Sequence, residues 1–224
     1  MMDVRVEALE MVYEVDGEQV HALRGVDLEI AAGESVALLG PSGSGKSSML
    51  TLLAGLQRPT SGRALIGGQD VTAMSERQLL ALRARHVGVV VQGPARNLLP
   101  YANAEDNIRF AQRAVPRDRR DRLRPPHELL ASLGLGHVRG SRLGELSGGE
   151  QQRLSLAVGL AGAPDVLLAD EPTSQLDAEN RGHVVDMLTA AAAGGTTIVL
   201  VTHDEHMAAQ VDRAIYLRDG EIVS

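Results

Sequence analysis

Lys46 is the only lysine in the chain; the other 21 of its 22 basic residues are arginine. It lies in Gly40-Pro41-Ser42-Gly43-Ser44-Gly45-Lys46-Ser47, which fits the phosphate-loop pattern G-x-x-x-x-G-K-[ST]. The loop falls between the apolar run SVALLG and the helical pattern KSSMLTLLAGL, as that pattern requires. Its glycines let backbone N–H groups turn inward around α- and β-phosphates, and the following helix adds its positive N-terminal end. A compact ammonium suits the small concavity at the β- and γ-phosphates better than the planar fork of arginine, so one lysine survives here. Ser47 offers a hydroxyl to Mg²⁺, and Ser48 follows it at the same helix start.

A second constellation lies in DVLLADEPTSQLD, where an apolar run delivers Asp170 and Glu171 at its carboxyl end. Asp170 suits a Mg²⁺ role, direct or through water. Glu171 suits orienting or deprotonating a water that attacks a γ-phosphate. Capping of the next helix is the alternative for this pair. His203 ends TTIVLVTH and Gln92 ends HVGVVVQ in the same manner; each alone is as compatible with a structural role. In LSGGEQQRLSLAVGLAG, Ser147 and Glu150 form a capping box, and Gly148 and Gly149 leave the first N–H groups of an apolar-striped helix unobstructed.

These residues need strands and helices to hold them. The runs SVALLG, HVGVVVQ, DVLLAD and TTIVLVTH are short and continuously apolar, as parallel strands covered on both faces are. VDLEI alternates, and Asp16-Gly17 is a hairpin signal, so the first ~30 residues predict antiparallel strands. SERQLLALRAR opens on a capping box, Ser75 with Gln78. An α/β core follows, interrupted over 93–145 by a stretch rich in arginine, proline and leucine without strand signal; the predicted division is a core of 1–92 and 146–224 with an inserted helical subdomain at 93–145. The basic run Arg113 to Arg124, broken by Asp118 and Asp121, predicts a solvated face.

Bulk properties exclude other classes. A net charge of −7 argues against a nucleic-acid binder that relies on a basic surface. Without cysteine there are neither disulfides nor thiolate metal sites. No basic segment followed by an apolar run opens the chain, and the longest nearly apolar run, Leu154 to Pro164, falls well short of the ~20 residues of a membrane span.

LSGGEQQR, taken with the phosphate loop, the Asp170–Glu171 pair, SQLD at Ser174 to Asp177 and the strand-end Gln92 and His203, resembles the ATP-binding cassette family over essentially the whole chain and in the family's motif order. The resemblance implies a mostly parallel, mixed P-loop core with an N-terminal antiparallel β-subdomain and an inserted helical one. It also implies ATP and Mg²⁺ as cofactors and ATP hydrolysis coupled to transport. By it Tyr13 would stack on adenine, a packing role remaining open, and Gln92 would sense Mg²⁺ and the attacking water. Two cassettes would pair head to tail, so that Ser147, Gly148, Gly149 and Glu150 of one close over ATP held by Lys46 of the other and Asp177 communicates across the pair. The partner implied is an integral membrane permease, with the cassette peripheral on the cytoplasmic face of the membrane.

After Gln92 the chain reads GPARNLLPYANAEDNI, where members of the family it resembles commonly have an aromatic soon after the glutamine and a shorter path to the NLLP element. That element resembles the branch serving macrolide export, lipoprotein release and cell-division permeases. Among competing functions, a GTPase would need a second lysine for N-K-x-D, and a non-hydrolysing cassette would not keep Lys46, Asp170, Glu171 and His203 together. A cluster-assembly ATPase outside transport remains the alternative. The reading favoured is the ATPase subunit of a membrane transporter.

Overall fold

The computed structural model describes residues 1–174 and 176–223. It opens with a long hairpin, β1 (Val4–Val15) and β2 (Glu18–Ile30), turned at Asp16 and Gly17, both in the left-handed region with φ +52° and +82°. Then follow β3 (Ser35–Leu39), α1 (Lys46–Leu53), β4 (Ser61–Ile66), β5 (Gln69–Asp70), α2 (Glu76–His86) and β6 (Val87–Val90). Next come α3 (Ala104–Ala114), α4 (Pro126–Ser132), α5 (Gly148–Leu160), β7 (Val166–Asp170) and α6 (Ala178–Ala193). The chain finishes with β8 (Thr197–Val201), α7 (Glu205–Ala208), β9 (Arg213–Arg218) and β10 (Glu221–Val223).

Two sheets form. One has the order β2-β1-β4-β5 and is antiparallel; the other has the order β10-β9-β3-β8-β7-β6 and is parallel except for its edge strand β10. The burial patterns explain the difference. β1 alternates, with Val4 and Val6 inward and Arg5 outward, whereas β3, β7 and β8 are buried at all five positions. The parallel strands therefore feed two cores, one on each face. Leu38, Leu168, Val199 and Val201 pack with α1, α2 and the antiparallel sheet, while Leu167, Ala169, Ile198 and Leu200 pack with α3 to α6. Each such leucine, fully buried, contributes ~2 kcal/mol relative to exposure.

Between residues 93 and 145 the described residues form helices and short 3₁₀ turns, with a single bridge pair, Asn103 with Arg142. The basic run departs from the expected solvated face at one place. Asp165, at the start of β7, accepts from Arg119 Nη1 (2.7 Å) and Arg122 Nη1 (3.3 Å), and His86 Nδ1 lies 2.7 Å from it. The carboxylate is nearly buried, so it draws part of the run inward. Arg113, Arg117, Arg120 and Arg124 stay exposed.

Candidate functional site

The carboxyl ends of β3, β6, β7 and β8 open into a cavity of about 490 Å³. Gly40, Ser42 to Ser48, Gln92, Asp170, Glu171, Ser174 and His203 line it, with Tyr13, Val20 and Ala22 from the hairpin. The strands bring together three of the sequence motifs and the aromatic residue, as a switch point in an α/β sheet does. Pro41 is exposed and does not line the cavity, and its carbonyl accepts from Lys46 Nζ (2.7 Å).

Close approach explains two of the loop glycines. A Cβ on Gly45 (φ +103°) would sit 2.2 Å from the Ala22 carbonyl oxygen, and one on Gly40 (φ +140°) 2.0 Å from that of Leu217. The loop is thus pressed between β2 and β9, and any larger residue would push it off its strands. Lys46, almost buried, donates to the carbonyls of Gly40 (2.9 Å) and Pro41 (2.7 Å) and to Ser44 Oγ (3.3 Å), spanning the loop's mouth. Burial lowers its pKa, against the attraction of Glu171 and Asp170.

Asp170 shows the converse. Burial raises its pKa; the Ser47 hydroxyl opposes that, Glu171 adds to it, and Lys46 opposes it. Its Oδ1 is buried without a hydrogen-bond partner among the described residues. A buried unpaired carboxylate oxygen beside a serine hydroxyl is the chemistry of a hard-cation site. Among the described residues no group of three His, Cys, Asp or Glu could hold a metal alone. Mg²⁺ suits such a sparse set, because it keeps waters and takes phosphate oxygens to complete its shell. Asp170 and Ser47 therefore fit it, and Gln92 lines the same cavity.

Glu171 is nearly buried and has φ +51°, a left-handed conformation that costs a non-glycine residue about 1 to 3 kcal/mol. Its surroundings hold it there. The N–H donates to the Val201 carbonyl (2.8 Å), the carbonyl accepts from Gln152 Nε2 (2.9 Å) and Ser174 N (3.2 Å), and Oε1 lies 2.8 Å from His203 Nδ1. The pair does not cap a helix; Asp177 does, accepting from the Asn180 N–H at the start of α6 (2.9 Å). Gln152 carried no functional reading in the sequence. Its signal there is its place in LSGGEQQR, a motif in which only residues 147–150 carry an expected role.

Tyr13 lines the cavity beside the loop, its hydroxyl 2.8 Å from Gln57 Oε1 and 3.2 Å from Ser48 Oγ. The ring is partly buried against the core, so anchoring and a free face coexist. By contrast, Ser147, Gly148, Gly149, Glu150 and Asp177 do not line this cavity. Ser147 caps α5 in the expected box, its N–H and Oγ donating to Glu150 Oε2 (2.7 and 2.8 Å), and it is exposed. The Leu176 side chain lies 3.3 Å from where a Cβ on Gly149 would be. Gln175, within SQLD, lies outside the described residues.

A phosphate loop at the head of a parallel sheet, two acids at the end of β7, with β8 between it and the loop strand β3, and an exposed, glycine-started capped helix define a P-loop nucleotide-binding cassette. Comparison with known proteins agrees. The ABC transporter family model matches residues 23–174. The chain is 42% identical to a pyoverdine export ATP-binding/permease protein of Pseudomonas fluorescens, covering 93% of this chain and 32% of that one. It is 41% identical to the macrolide export ATP-binding/permease protein of Escherichia coli, covering 94% and 32%. The chain thus spans about a third of the length of these curated relatives. A dimeric post-hydrolysis structure of the ATP-binding cassette MJ0796, bound to ADP and Pi, superposes with a TM-score of 0.91 at 34% identity over 99% of this chain and 97% of that one. The chain belongs to the ABC transporter family, and as a member it is an ATPase of the ABC type. Among the described residues no helix is long and apolar enough to cross a membrane.

Proposed function

We propose that this chain binds Mg²⁺–ATP and hydrolyses it between two copies of itself, and that the opening and closing of this pair drives a membrane permease of the export or mechanotransmission type. One observation carries the reading. The loop, the two acids and His203 share one cavity, while the Ser147 start of α5 is exposed elsewhere on the chain, which supports a second copy bringing it over the γ-phosphate. The MJ0796 cassette is dimeric with ADP and Pi, which supports the same arrangement here. The relatives are ATP-binding/permease proteins, which supports a permease partner and a peripheral position on the cytoplasmic face of its membrane.

The loop N–H groups cradle the phosphates, and Lys46 exchanges its loop carbonyls for β- and γ-oxygens. Asp170, Ser47 and Gln92 would hold Mg²⁺, which when bound offsets charge on the phosphate oxygens. Tyr13 stacks on adenine. Glu171, oriented by His203, takes a proton from the attacking water; the water oxygen bonds to Pγ, the bond from Pγ to the bridging oxygen breaks, and ADP leaves with that electron pair. Glu171→Gln should keep ATP binding and lose ~10² to 10⁴ in turnover. Lys46→Ala should weaken ATP ~10-fold or more. Titration calorimetry and phosphate release measure these; turnover unchanged in Glu171→Gln would remove the proposed base.

A further inference from the structure

One hydrogen bond joins α5 to the turn that carries Glu171. Gln152 Nε2 donates to the Glu171 carbonyl at 2.9 Å, and no other hydrogen bond among the described residues links that helix to residues 171–174. Gln152 is 3% exposed, in the second turn of α5, beside Arg153 and the apolar Leu154 and Leu156. A primary amide so deeply placed is costly unless its donors are used. Here a donor is used on the backbone of a non-glycine residue that holds a left-handed φ.

We propose that Gln152 is a positioning residue for Glu171, carrying the placement of the Ser147 end of α5 to the carboxylate that meets the attacking water. The inference rests on the reading of Glu171 as the base. The helix is a continuous hydrogen-bonded rod of 13 residues, capped at Ser147. A displacement of that end, when it meets nucleotide on the second copy, therefore reaches the second turn little diminished. The Glu171 backbone is held by β8 through its N–H, in the peptide before Cα, and by α5 and the Ser174 N–H through its carbonyl, in the peptide after it. A shift of α5 relative to β8 therefore pulls one of these peptides against the other, which changes the Glu171 backbone dihedrals and swings the carboxylate. Turnover then depends on both halves of the site being seated.

Gln152→Met keeps the length of the side chain and removes its donors. It should lower kcat for ATP ~10-fold, the loss of one well-placed buried bond, while KM for ATP and the affinity for ADP stay within about 2-fold, since no group of the nucleotide cavity changes. Gln152→Glu, with the donor replaced by an acceptor facing the same carbonyl, should lose at least as much, so the result does not depend on one variant folding. In a Glu171→Gln background, Gln152→Met should cost less than about 2-fold more, because the group being positioned no longer acts. Equal kcat for Gln152→Met and the wild type, or an equal proportional loss in both backgrounds, overturns the proposal. Wild-type protein without ATP turnover, or a Glu171→Gln variant as fast as wild type, overturns instead the reading beneath it.

Discussion

At the scale of single residues, the anchoring of Tyr13 separates two roles that one ring can play. Its hydroxyl bonds to Gln57 and Ser48 fix the ring at the rim of the cavity whether or not a base lies on it. Removing the hydroxyl and removing the ring are therefore different experiments. Stacking of a base on an aromatic is worth about 1 to 3 kcal/mol by alanine substitution. Tyr13→Ala should weaken ATP and ADP alike by ~10-fold, because adenine is common to both, and Tyr13→Phe should retain most of the affinity. Calorimetric titration with both nucleotides measures this. Affinities untouched by Tyr13→Ala would leave the ring a packing residue only.

At the scale of elements, Asp165 ties three parts of the chain together. It sits before β7, receives Arg119 and Arg122 from the segment between α3 and α4, and lies against His86 at the end of α2. Burial alone would raise its pKa; the Arg119 guanidinium and the His86 ring hold it well below the usual carboxylate range instead. A folded-state pKa below the unfolded value of ~3.9 means the stabilisation is complete above about pH 4 and is lost as the pH falls below that. Asp165→Asn should cost ~2 kcal/mol at pH 7, somewhat under the loss for breaking a fully buried pair. The gap to wild type should narrow as the pH is lowered from 4, since the wild type loses the same contribution by protonation. Urea unfolding across that range tests it, and a gap as wide at pH 3 as at pH 7 would mean that the charge of Asp165 is not what joins the segments.

At the scale of the molecule, the proposed site is complete only in a pair of cassettes. Glu171→Gln removes hydrolysis and one negative charge from an interface that holds two triphosphates, so ATP should accumulate there and hold the pair closed. This variant should run as a dimer with ATP and as a monomer with ADP or without nucleotide. Adding Ser147→Arg should abolish the dimer, because a long side chain at the exposed start of α5 would occupy the γ-phosphate end of the opposite cavity. Light scattering during gel filtration reads all four states. A monomer in every one would assign closure to a different partner cassette or to assembly on the permease.

Local chemistry was legible in the sequence because it depends on neighbours a few residues apart. The phosphate loop needs eight consecutive residues, the capping boxes at Ser75 and Ser147 need four, and the buried parallel strands announce themselves as unbroken apolar runs. Gln92, Glu171 and His203 could be read as strand ends, though not as neighbours. Distances across the fold required the tertiary structure. The pairing order β3-β8-β7-β6 decides that His203 meets Glu171, since long-range strand pairing leaves no local trace in composition. The arginine run looked solvated because its charges alternate; Asp165, more than 40 positions from Arg119, draws it inward. Gln152 stands in the LSGGEQQR motif without a role that its neighbours in sequence could give it, and only the packing of α5 against the end of β7 aims its amide at the Glu171 carbonyl.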